Sequence, residues 1–85
     1  MHRVTLRYWA GARAAAGVET EQVQASSLAE ALEAVKAARP GDAEFARVLD
    51  VCSLLRDRRT VPRAALAEPL DADAELELLP PFAGG

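Results

Sequence analysis

The sequence predicts an α+β roll, a mixed sheet of four or five strands with one main helix packed across one face. Segments of strand periodicity lie at both ends of the chain, and a capped amphipathic helix stands between them. With a strand pair on each side of that crossover helix, the first and last strands become central neighbours. The 85 residues leave room for one domain and one core.

Val4, Leu6 and Tyr8 alternate with Arg3, Thr5, Arg7 and Trp9, the period-two pattern of a half-buried strand. Gly11 and Gly17 bracket the alanine-rich run Ala12 to Ala16, too short to stand alone as a helix and read as a helical turn or a loop. Glu19 to Gln24 forms a weaker strand returning antiparallel to the first. Ser27-Leu28-Ala29-Glu30 fits a capping box, in which the hydroxyl and the carboxylate each satisfy a free backbone N–H. Leu28, Ala31, Leu32 and Val35 follow at i, i+3, i+4 and i+7 and make one apolar stripe. Arg39-Pro40-Gly41 stops this helix. Asp42 caps a shorter helical segment with Phe45, Val48 and Leu49 on one side. Ser53 to Arg56 reads as a strand, Asp57-Arg58 as a turn, and Arg59 to Val61 as a short strand ended by Pro62. Glu75-Leu76-Glu77-Leu78 is the last strand, and Pro80-Pro81 ends it because neither proline can donate to a ladder.

Of the apolar residues nineteen are alanine, which leaves twenty-four larger side chains to build a core. Burying each contributes about 1.5–3 kcal/mol, so the core is shallow and a deep substrate cavity lined by this chain alone is not expected. A partner must supply most of any active site. The net charge of −3 and pI near 5.0 have the wrong sign for a general nucleic-acid binder. No apolar run approaches a membrane span, and the start reads as a strand rather than a signal peptide, so a cytoplasmic protein without a membrane partner is expected. Cys52 is the only cysteine and His2 the only histidine, which argues against a disulfide framework, His/Cys zinc sites and histidine-dependent triads.

The segment Pro80-Pro81-Phe82-Ala83-Gly84-Gly85 is the most informative for function. Two prolines stiffen the exit from the last strand and project the tail away from the sheet. Gly84 and Gly85 lack a Cβ, so a narrow channel in another protein admits their backbone and receives the terminal carboxylate. No charged side chain follows Leu79, which keeps the desolvation cost of insertion low. Residues 1–79 are therefore read as the domain and residues 80–85 as a flexible functional tail.

The stretch from Leu78 to Gly85 (LLPPFAGG), the opening RYWAGARAAAG, the capped helix and the run EPLDADAELELLPP together resemble the small subunit of molybdopterin synthase. That family consists of ubiquitin-like β-grasp sulfur carriers related to the thiamine-pathway carriers. The resemblance implies the order β-β-α-β-β with a short extra helix. It implies that the Gly85 carboxylate, with Gly84 before it, is activated as an acyl-adenylate by a separate adenylating enzyme that uses MgATP, the carrier itself binding no cofactor. A sulfur donor protein then supplies the atom that makes a thiocarboxylate, ionised at neutral pH and strongly nucleophilic. The large synthase subunit receives the tail, and cyclic pyranopterin monophosphate receives the sulfur. The assembly implied is a heterotetramer. Trp9 and Leu79 are implied to belong to the apolar patch that docks partners, with Pro80, Pro81, Phe82 and Ala83 in the partner's groove.

Two loops depart from the pattern. Relatives usually carry an Asp-Gly-Asp-like turn where this chain has Asp71-Ala72-Asp73-Ala74, so Asp73 is expected to take the left-handed glycine position. Relatives also often have glycine in the Asp57-Arg58 hairpin. Trp9 shares the parity of Thr5 and Arg7 and is expected on the exposed face; a bulge would instead turn it inward as core. Cys52, beside Val51 and Leu54, reads as a small buried hydrophobe. Arg56, Arg58, Arg59 and Arg63 form a basic cluster, read as a solvated hairpin face or a surface for an acidic partner or a phosphate.

Three functions fit these features. The first is a sulfur carrier, for the molybdenum cofactor or for thiamine or cysteine synthesis; the diglycine is common to all, and the diproline approach favours the molybdenum cofactor. The second is a ubiquitin-like modifier conjugated to other proteins through Gly85. The third is a β-grasp interaction module that is never activated.

Overall fold

A computed structural model of the chain describes residues 1–81. Strand β1 (His2–Tyr8) buries Val4, Leu6 and Tyr8 and turns Arg3, Thr5 and Arg7 the other way, as the alternation requires. Helix α1 (Ala10–Ala16), strand β2 (Thr20–Ala25), helix α2 (Leu28–Ala37) and helix α3 (Ala43–Val51) follow. The chain then forms β3 (Ser53–Arg56), β4 (Arg59–Thr60), a 3₁₀ turn at Arg63–Ala65, and β5 (Ala74–Leu79).

The five strands lie in the order β2-β1-β5-β3-β4. β1 pairs parallel with β5, and the other neighbours pair antiparallel. The first and last strands are thus central neighbours, the β-grasp arrangement that the α+β reading and the resemblance both imply. Val4, Leu6, Tyr8, Leu54, Leu76 and Leu78 point to one side of the sheet and join the apolar faces of α2 and α3 in a single buried cluster.

The stripe on α2 buries Leu28, Ala31, Leu32 and Val35. The Ser27 hydroxyl accepts from the Glu30 N–H at 3.1 Å, half of the expected capping box. The other half is displaced by one residue: Glu30 accepts from the Ser26 N–H at 3.2 Å and the Ser26 hydroxyl at 2.7 Å. Ser26 offers two donors to the two carboxylate oxygens, and the carboxylate takes both. Asp42 caps α3 through the Phe45 N–H at 3.0 Å.

The Ala-rich run resolves as a seven-residue helix rather than a loop. Propensity alone does not hold so short a helix. Complete burial of Ala12 does, and Gly17 closes the helix at φ 81°, its N–H donating to the Arg13 carbonyl at 3.0 Å.

Two readings are corrected. Asp73 does not adopt a left-handed conformation; its carboxylate accepts from the Arg3 N–H at 2.9 Å and so holds the turn by a side chain. Arg63 is not part of a solvated basic face. Its guanidinium donates to the carbonyls of Leu49, Asp50 and Cys52 at 3.1, 2.9 and 2.9 Å, satisfying acceptors that the end of α3 leaves open.

A polar cluster not read from the sequence joins β2 to the ends of two helices. Tyr8 donates to Glu21 at 2.5 Å, and Arg39 donates to the same oxygen at 2.8 Å. Arg39 also donates to the carbonyls of Val35 and Ala16, both at 3.1 Å, and its guanidinium lies 4.2 Å from the centre of the buried Phe45 ring. Burial first, and then the Glu21 carboxylate, push the Tyr8 hydroxyl far above its ordinary range. Cys52 is 5% exposed, as expected of a small core residue, and burial raises its thiol.

Candidate functional site: the open sheet face at the end of β5

Helices cover one side of the sheet, so the residues of opposite parity make its open face. Register places Thr5 beside Glu75, Arg7 beside Glu77, Leu55 beside Glu77 and Ser53 beside Leu79. Successive strand residues point to opposite faces, and the pairs Leu54-Leu55 and Leu78-Leu79 therefore split. Leu54 and Leu78 are buried, while Leu55 and Leu79 are half-buried on the open side.

Trp9 leaves β1 with extended backbone, and its N–H donates to the Leu78 carbonyl at 3.1 Å. This carries the parallel register one step further and sets Trp9 beside Leu79. The side chain is 45% exposed, which decides against an inward bulge. Its indole N–H donates to Glu77 at 3.0 Å, so the ring leans over β5. Arg7, although opposite Glu77 in register, turns to Glu19 at 3.4 Å and leaves the Glu77 carboxylate to the indole.

The chain departs from the sheet at this point. Leu79 and Pro80 are half-buried and Pro81 is exposed. Pro80 lies against the start of α1, where a Cβ on Gly11 would meet its Cγ at 3.9 Å. Of the sequence-predicted site residues, the structure thus brings Trp9, Leu79, Pro80 and Pro81 together at one end of the two central strands. Phe82, Ala83, Gly84 and Gly85 lie outside the described residues.

Glu77 and Leu55 were not singled out from the sequence. The Leu54-Leu55 doublet was the available signal for Leu55, since both cannot face the core. Glu77 carried no such signal, because its partner lies 68 residues away in the chain.

Beside Thr5, Arg7, Glu75 and Glu77, this face carries the exposed Trp9 ring and the half-buried Leu55 and Leu79. Among the described residues, no group of three His, Cys, Asp or Glu could hold a metal ion. Open grooves of about 560 and 270 Å³ occur at the β3–β4 hairpin and at the α2–α3 connection, and neither is lined by the exit residues. Among the described residues, no helix is long and apolar enough to cross a membrane.

The model of the ThiS family matches residues 6–85. Small archaeal modifier protein 1 from Haloferax volcanii is 28% identical, with a TM-score of 0.76 over 98% of this chain and 99% of that one. A chain in the complex of subunits 1 and 2 of molybdopterin-converting factor from Helicobacter pylori is 26% identical, with a TM-score of 0.66 over 98% and 99%. Small archaeal modifier protein 1 from Methanosarcina acetivorans, at 19% identity, shares the fold with a TM-score of 0.81 over 100% and 98%. No curated protein sequence matches the chain.

Proposed function

The chain belongs to the ThiS family, and on that premise we propose that it is a sulfur carrier working through the Gly85 carboxylate, as the sulfur-donating subunit of molybdopterin synthase. The observation that carries this reading is the family match running through Gly84 and Gly85, on a chain whose central strand β5 ends beside an exposed Trp9.

A carboxylate is a poor electrophile, so a separate enzyme must activate it. Carboxylate attack on the α-phosphate of MgATP forms an acyl-adenylate and releases pyrophosphate. The terminal sulfur of a donor protein's persulfide then attacks the acyl carbon and expels AMP. A thiol reduces the resulting acyl disulfide, becoming a disulfide itself and releasing a thiocarboxylate whose ionised sulfur is the nucleophile for the next transfer. The carrier's contribution is geometric: a narrow chain end for the partner's channel, and an open sheet face that sets its depth. The partners in this reading are the adenylating enzyme, the sulfur donor and the large synthase subunit. The Helicobacter pylori complex of subunits 1 and 2 supports the last of these.

A second reading has a specific observation behind it. Likeness to the Haloferax volcanii modifier favours a protein conjugated to others through Gly85. Both functions pass through the same adenylate and part at the acceptor, sulfur in one case and a lysine amine in the other.

Whole-protein mass spectrometry of the chain from its native cells tests the proposal. An oxygen-to-sulfur mass increment is expected, removed by Gly85 deletion. A branched diglycine adduct on other proteins, without the increment, would establish the modifier instead. An unaltered mass under all conditions, with no adduct on other proteins, would refute both.

A further inference from the structure

The β3–β4 hairpin carries charge that neither the core nor the exit face uses. We propose that it is an electrostatic docking lip for an extended, acidic segment of a protein partner. With Arg63 committed to α3, the hairpin keeps Arg56, Arg58 and Arg59 against Asp57. Those three arginines less Asp57 carry +2, which leaves −5 on the rest of a chain whose net charge is −3. Arg56 lies 3.6 Å from Asp57 and 3.9 Å from Asp71, whereas Arg58 and Arg59 are exposed and join no ion pair among the described residues.

The turn is built to present these groups. Asp57 and Arg58 have φ of 50° and 71°, the left-handed region where glycine is the least strained residue. An arginine there keeps a strained backbone in order to hold a charged side chain at the tip, an outlier of the kind that gathers at functional positions. Beside it lies the open groove of about 560 Å³, lined by Arg56, Asp57, Arg59, Thr60, Val61 and Pro62.

Charge and surface chemistry select the occupant. Guanidiniums on the rim call for carboxylates, and Val61 and Pro62 offer apolar contact that a lone phosphate would not use. A long nucleic acid would run past the hairpin onto the −5 of the remaining surface, whereas a short acidic segment stays on the lip. An acidic polypeptide with interspersed apolar side chains satisfies both features. Arg56 pairs with Leu76, so the turn at its tip points toward the start of β5, while Val61, bonded to Leu54, brings the groove back to the level of Leu78, two strands away from β1.

The test is an amide chemical-shift titration of the full chain with a synthetic alternating Glu-Val peptide at low and high salt. Amide shifts confined to residues 56–61 are expected, with binding weakened by salt. Arg58→Gly should bind about threefold more weakly while its melting temperature stays equal or rises, because glycine relieves the strain. Reversing both Arg58 and Arg59 to glutamate should abolish the shifts. Shifts that are absent or lie elsewhere would overturn the proposal. So would inorganic phosphate or a single-stranded oligonucleotide binding the hairpin as well as the peptide does. A fall in melting temperature for Arg58→Gly would make that arginine structural and equally refute the idea.

Discussion

Raising the pH above 10 should destabilise this protein chiefly through Tyr8, the only tyrosine available to report it. Its ring is 1% exposed, and its hydroxyl donates to Glu21 at 2.5 Å. Burial and the adjacent carboxylate both disfavour the phenolate, so the folded protein holds the proton well beyond the ordinary value of 10.0. In the unfolded chain the hydroxyl ionises near 10. Above that pH the folded state binds more protons than the unfolded state, and stability falls as pH rises. The contribution is complete below pH 10. It then declines by up to about 1.4 kcal/mol per pH unit, or about 2.7 kcal/mol by pH 12. The Asp50 hydrogen bond raises Lys36 as well, which acts in the same direction, so melting curves alone would mix the two.

Phenolate absorbance separates them. It should stay absent through pH 10–11 and then appear together with the loss of helical signal. Tyr8→Phe, which leaves the Glu21–Arg39 pair in place, should flatten the dependence of melting temperature on pH in this window. A phenolate that titrates near pH 10 with the fold intact would show that the ring is not sealed, and would refute the reasoning.

Three other outcomes are expected of the same structure. Deleting Gly85 should abolish the sulfur mass increment while the melting temperature is unchanged, since among the described residues the buried core ends at Leu78. Trp9→Ala should cost about 2 kcal/mol in partner affinity by calorimetry, as an exposed aromatic anchor does, and less in thermal stability; the reverse order would place the indole's main role within the fold. Cys52 should resist alkylation at neutral pH in the folded protein and react on addition of denaturant, because burial disfavours its thiolate. Rapid labelling without denaturant would contradict its placement.

The carrier and modifier readings also differ in what they ask of the open face. A carrier must bind and leave several enzymes in turn, so a surface of Trp9, Leu79, Leu55 and exposed polar atoms suits it: modest apolar area and rapid release. Exposed ion pairs such as Arg7–Glu19 add little to stability, and their value lies in orientation and encounter.

What the sequence determined by itself was local. Alternation in β1 and β5, the apolar stripe and Ser27 cap of α2, the Asp42 cap of α3 and the Pro80-Pro81 stop act over a few residues, so spacing alone reveals them. The exposure of Trp9 was legible for a related reason, its parity with Thr5 and Arg7, whereas the reading of Phe82, Ala83, Gly84 and Gly85 falls on residues outside those described. Only the tertiary structure decided the placements that depend on distant groups. Arg63 resembled its neighbours in composition, yet the end of α3 claims it. Arg39 meets Glu21 across 18 residues, and Glu77 meets Trp9 across 68. Ala12 is helical because it is buried, not because alanines are abundant. Periodicity and capping are properties of a segment, whereas which donor meets which acceptor is settled only when folding closes the chain around them.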